Sequence, residues 1–131
     1  MPSSNPFPAI ASNQLWPPFI PHHIRKNSSS APIGRLDVSH YKIPTDSPES
    51  DGTLKWDQTN LVIVVVHAGG KSGLGYTFGG EETAALIHGK LAGVVKGCDA
   101  MAPAAAYTSM WNQVRNQGRE GICSMAISAI D

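Results

Sequence analysis

The hydrophobic pattern is densest at Leu61 to Val66, six consecutive apolar residues of which five are β-branched. A run this short cannot span a membrane and suits a buried strand. Gly69-Gly70 and Gly73 follow within His67 to Gly73 and supply the positive-φ positions a reversal needs. Leu74-Gly75-Tyr76-Thr77-Phe78 then alternates at period two, so the pair reads as a β-hairpin with strands over Leu61–His67 and Gly73–Phe78. Upstream, Leu36, Val38, His40 and Lys42 alternate with Asp37, Ser39, Tyr41 and Ile43, which predicts a third strand within Ile33–Ile43, from Arg35 to Ile43.

Past Gly79-Gly80 the period changes from two to that of a helix. Ala84, Ile87, Leu91, Val94 and Cys98 fall at helical spacing behind Glu81 and Glu82, carboxylates that complement a helix N-terminus, and Gly97 marks the stop. Pro103 suits the first turn of a second helix whose stripe is Tyr107, Met110, Trp111 and Val114, closed by Gly118. Gly121 to Asp131 is apolar nearly all round, as a helix buried on several sides would be, and its uncapped end reads as a cut-short element. Strands grouped before helices predict an α+β fold: a three-stranded antiparallel meander followed by about three helices. Ile122, Met125, Ile127 and Ile130 of the last helix are expected to leave an apolar patch that drives self-association.

Between the first two strands, Pro44 to Asp57 carries two prolines, a glycine and the acids Asp46, Glu49, Asp51 and Asp57 against Lys55, a net charge of −3. This composition predicts a long flexible loop, with Trp56 anchoring it on the core. Its acids lack the spacing of an EF-hand, so no metal site is expected in the chain.

Ten basic residues balance ten acidic ones among 131, which gives no electrostatic reason to expect nucleic acid or anionic lipid. Two cysteines, Cys98 and Cys123, are too few for a disulfide scaffold and fit a reducing, cytoplasmic setting as small core residues. Residues 1 to 32 hold seven of the ten prolines and no acid, and read as a disordered Pro/Ser-rich extension ahead of a domain over 33–131. His22-His23 has no companion ligands and reads as part of that solvated tail; His88, likewise without a partner at ligand spacing, reads as surface.

Gly70-Lys71-Ser72 after a hydrophobic strand matches the tail of the phosphate-binding G-x-x-x-x-G-K-[ST] loop, but the leading glycine would fall on Val65 and no helix follows. Gly73-Leu74-Gly75 fails as a dinucleotide fingerprint because its third glycine would be Phe78.

Three strings carry a more specific signal: V-x-x-Y-x-I-P-T-D from Val38 to Asp46, H-A-G-G-x-x-G-x-G-Y from His67 to Tyr76, and A-I-S-A-I-D at Ala126 to Asp131. With the element order, they resemble the N-terminal capping domain of enolase-superfamily enzymes of the mandelate racemase and muconate lactonizing group, over roughly Ile33 to Asp131. In that family the last helix continues with a motif like A-I-D-x-A-x-W-D into a (β/α)₇β barrel, absent from this sequence, which holds the catalytic residues and the carboxylates for Mg²⁺. The resemblance implies a full-length enzyme that abstracts a proton α to a carboxylate of a small acid or acid sugar, as a racemase, dehydratase or cycloisomerase. It also implies that two loops close the barrel mouth, Pro44–Asp57 as a mobile lid and Tyr76–Gly80 as a fixed wall. Substrate contacts then fall on Thr45, Asp46, Tyr76, Thr77 and Phe78, with no catalytic residue and no cofactor held by this chain. The competing reading is a stand-alone α+β interaction module without catalysis.

Overall fold

The computed structural model describes residues 30–131. Three antiparallel strands, β1 (Ile33–Ser50), β2 (Lys55–Ala68) and β3 (Lys71–Thr77), form one sheet in the order β1-β2-β3. The meander is the expected one, but its first two strands are longer than the alternation indicated. β2 and β3 meet at a two-residue turn, Gly69-Gly70, with φ of 57° and 74°. Both positions are in the left-handed region that a tight primed hairpin turn demands. Lys71 and Ser72 therefore open a strand, and a helix N-terminus that could cradle phosphate is not formed there.

The stretch Pro44–Asp57 is not the long loop its composition suggests. β1 runs through it to Ser50 and returns along β2 from Lys55, with Ser50 opposite Lys55 and Glu49 opposite Trp56. Between the pairs Pro44–Gln58 and Glu49–Trp56 the register slips, so Thr45 to Pro48 bulge opposite Asp57 alone. The true turn is Asp51–Leu54, where the Asp51 carboxylate accepts the N–H groups of Thr53 at 2.8 Å and Leu54 at 2.9 Å. Trp56 anchors this ribbon to itself and not to the core, its Nε1 donating to Glu49 Oε2 at 2.9 Å.

Behind the sheet, α1 (Glu81–Leu86), a π-helical turn (Ile87–Leu91) and α2 (Ala92–Val95) follow one another without interruption. Ile87, Leu91 and Val95 are four residues apart and fully buried. Spacing of four drifts off an ideal helical stripe, and the wider turn keeps all three on the core side. α3 (Pro103–Gln113) contributes Met110, and the turn after it Val114, both fully buried. Tyr107 is 39% exposed, so the outer part of the predicted stripe is a surface stack: Tyr107 on Trp111 at 5.8 Å, with the Arg119 guanidinium 4.9 Å over the Trp111 ring.

α4 (Ile122–Ile130) lies against β2, β3 and α1 and buries Cys123, Ala126, Ile127 and Ala129. Its small residues allow close approach: a Cβ added at Gly75 of β3 would collide with the carbonyl oxygen of Ala129. Ile127 is only 2% exposed and Ile122 is 40% exposed, so the expected apolar patch of Ile122, Met125, Ile127 and Ile130 does not form as drawn. Ile127 points into the domain.

The helices cover one face of the sheet, where Val62 and Val64 are fully buried and Leu36, Val38 and Val66 pack against the same cluster. The other face presents Tyr41, Leu74 and Tyr76, which are 49%, 68% and 59% exposed. Residues 31 and 32, counted with the extension from the sequence, are tied in: Ala31 N–H donates to Asp99 Oδ1 at 2.9 Å, and Pro32 bridges to Asp99. The His22-His23 pair lies outside the described residues.

Candidate functional site

Antiparallel order puts the β1–β2 tip and the β3–α1 connection at the same end of the sheet. Thr77 pairs with Val62 and Val62 with His40, so the β1–β2 ribbon projects beyond the end of β3. At about 3.3 Å per residue, Thr45 lies about 16 Å further along β1 than His40. The two segments therefore share one end of the domain, the ribbon reaching outward and the Tyr76–Gly80 connection staying at its base.

The five residues singled out from the sequence are placed unequally. Tyr76 and Phe78 are 59% and 64% exposed and meet edge to face, with ring centroids 6.1 Å apart and an 85° interplanar angle. This arrangement forms an aromatic wall in which the edge of one ring meets the electron-rich face of the other. Thr77, between them, turns to the helix side and is buried, so it supports the wall from behind. Thr45 is half-buried within the bulge, its hydroxyl donating to the Ser47 carbonyl at 2.7 Å. Asp46 stands next to it and is exposed.

Immediately behind the wall, Thr83 is fully buried on α1, and a Cβ at Gly79 would press on its side chain. That contact holds the connection close to the helix, so that a side chain at position 79 would require buried Thr83 to shift.

The acids of the ribbon do not assemble a metal site. Mg²⁺ asks for a near-octahedral shell of oxygens. Glu49 is engaged by Trp56, and the amides of Leu54 and then Thr53 hold Asp51 below the usual carboxylate range. Among the described residues no three His, Cys, Asp or Glu side chains converge. The donor set does not fit the ion, and no step involving Mg²⁺ can be assigned to this domain's own side chains.

One polar cluster escaped the sequence reading. At the opposite end of the open face, Asp37 Oδ2 lies 2.8 Å from an Arg35 guanidinium nitrogen and 2.9 Å from His67 Nε2, while His67 Nδ1 lies 2.9 Å from Ser72 Oγ. The His67 hydrogen bond, and then the Arg35 charge, lower the Asp37 carboxyl below its ordinary range. The cluster is made by register, since Arg35 pairs with His67 and His67 with Ser72. Its members are up to 37 residues apart in a sequence that shows no spacing motif among them.

No helix among the described residues is long and apolar enough to cross a membrane. No family model matches the chain. It is 31% identical over 105 residues to 3,6-anhydro-α-L-galactonate cycloisomerase of Streptomyces coelicolor, a match covering 76% of this chain and 29% of that enzyme. Among solved structures it is similar to a mandelate racemase/muconate lactonizing enzyme-like protein from Rubrobacter xylanophilus, at 48% identity and a TM-score of 0.73, covering 76% of this chain and 28% of that one. It is also similar to a racemase from Streptomyces coelicolor solved with bound magnesium, at 32% identity and a TM-score of 0.72, covering 75% and 29%. The chain thus spans under a third of the length of each of these relatives. The sequence and the fold together show that this domain belongs to the enolase superfamily, in its mandelate racemase/muconate lactonizing group.

Proposed function

We propose that this chain is the capping part of an enzyme that abstracts a proton α to a carboxylate and acts as a racemase, cycloisomerase or acid-sugar dehydratase in the cytoplasm. The observation that carries the reading is the shared end of the sheet, where an outward-reaching ribbon and a fixed aromatic wall stand side by side in a domain matching racemase and cycloisomerase relatives. In this reading a (β/α)₇β barrel seated at that end supplies the acid–base groups and the Mg²⁺ carboxylates. Mg²⁺ held by those barrel carboxylates would supply stabilisation of developing negative charge, to which the described side chains of this domain contribute no ligand.

The capping domain's own part is to bind, orient and exclude water. The ribbon closes over the substrate; its local charge of −3 disfavours direct contact with the substrate carboxylate. Thr45 and Asp46 meet the hydroxyl-bearing distal end of the substrate, and Tyr76 and Phe78 form the wall it rests on. Thr77, buried, holds the wall in place.

The test is substrate ranking in a barrel-bearing form of the protein. Thr45→Val and Tyr76→Ala change relative kcat/KM among acid substrates by tenfold or more, a loss of about 1.4 kcal/mol of discrimination, while α-proton exchange persists for at least one substrate. Abolition of exchange for every substrate with the ranking untouched would remove these residues from specificity.

A further inference from the structure

We propose that Ser72, His67 and Asp37 form a nucleophilic site on the open face of the sheet, in which Ser72 Oγ accepts the acyl group of small activated carboxylic esters. Proton placement follows from the geometry. An Arg35 guanidinium nitrogen and His67 Nε2 lie 3.2 Å apart, and both lie within 2.9 Å of Asp37 Oδ2. A bare Nε2 could accept from the guanidinium at 3.2 Å but would set its lone pair against the carboxylate at 2.9 Å, the shorter contact; with the proton on Nε2, both it and the guanidinium donate to Asp37 Oδ2. With the proton on Nε2, Nδ1 is left as an acceptor, and the group 2.9 Å from it is the Ser72 hydroxyl. The array is nucleophile, base and orienting carboxylate in hydrogen-bond sequence, the arrangement that activates serine on unrelated folds. The ring nitrogens are used in the reverse of their commonest roles, and each bond is nonetheless made.

A place for the acyl group lies beside it. Leu74 is two residues along β3 on the same face, 68% exposed, and pairs directly with half-buried Val65. A short apolar acyl chain laid on this shelf presents its carbonyl carbon to Ser72. Oγ attacks that carbon as its proton passes to Nδ1; the tetrahedral adduct collapses, the C–O bond to the leaving group breaks, and the departing phenolate takes up the proton from Nδ1. The products are the acyl-serine and the free phenol. Open to water, the relay supplies general-base assistance of about 10²–10⁴-fold. That predicts stoichiometric acylation by aryl esters rather than turnover of unactivated ones. His67 carries the proton; Asp37 acts as a positioning residue through it, and Arg35 fixes Asp37.

The test is incubation of the full chain with p-nitrophenyl acetate, followed by peptide mass spectrometry with and without alkaline hydroxylamine, which strips acyl-serine but leaves acetyl-lysine. A hydroxylamine-sensitive acetyl on Ser72 is expected. It should be absent in Ser72→Ala and formed about 100-fold more slowly in His67→Gln. Asp37→Asn should slow it and Asp37→Glu restore part of the rate, with circular dichroism unchanged in each variant. Label confined to lysines, or Ser72 labelling at the same rate in folded His67→Gln, would overturn the proposal.

Discussion

Gly75 shows how much of this domain depends on one missing methyl group. Its backbone lies so close to the α4 carbonyl of Ala129 that any side chain meets main chain, which cannot swing aside. Gly75→Ala is expected to cost about 1–3 kcal/mol through overpacking, read as a lowered urea midpoint with the m-value unchanged. Ionisation acts at the same scale. Asp51 and Asp99 are lowered chiefly by backbone amides, of Leu54 and Ala31 respectively, and Asp37 chiefly by its hydrogen bond to His67. Each folded value lies below the unfolded one, so each group adds stability that is complete above the ordinary carboxylate range and lost as pH falls through the lowered value. The melting temperature should therefore drop below about pH 4, and Asp99→Asn, which keeps an amide oxygen for Ala31, should shallow that drop. A melting temperature flat from pH 5 to pH 2 would contradict the assignment.

Among the elements, those that pack on one side were legible before the structure. Leu36 and Val38 face the helices while Asp37 and Ser39 face water, as alternation required, and Ala84, Ile87 and Leu91 mark the helix that covers them, although beyond the π-helical turn Val95 is fully buried and the expected Val94 only partly so. The ribbon was illegible for the complementary reason. Exposed on both faces, its strands carry no apolar alternation, and Pro44, Pro48 and four acids read as loop although an edge strand tolerates them. Thr77 could have been separated from Tyr76 and Phe78 by period two alone. The relay of Arg35, Asp37, His67 and Ser72 could not, because cross-strand register makes it. α4 was recognised as a helix, but a helix apolar nearly all round does not mark its buried side, and Ile127 was assigned to the exposed one. The structure chooses the buried side: Ile127→Ala should cost about 2–5 kcal/mol, whereas Ile122→Ala at the exposed end should change stability by less than about 0.5 kcal/mol, both from denaturant melts.

At the scale of the molecule, the domain is a sheet clad on one side, with the ribbon and the aromatic wall at one end and the Ser72 relay at the other. In the proposed assembly, a barrel at the ribbon end is closed by the projecting ribbon and by the aromatic wall at its base. The ribbon carries the Asp51 turn and the Thr45–Pro48 bulge, and the connection at its base carries the Tyr76–Phe78 contact and the close Gly79–Thr83 approach. The central claim is that this domain completes an active site. The most direct measurement is turnover by a chimera in which residues 30–131 replace the corresponding segment of the Streptomyces coelicolor cycloisomerase that it matches at 31% identity. The account predicts a folded chimera that retains cycloisomerase activity with an altered KM. A chimera that folds and binds magnesium as the parent enzyme does, yet shows no turnover above the parent lacking its capping segment, would contradict it.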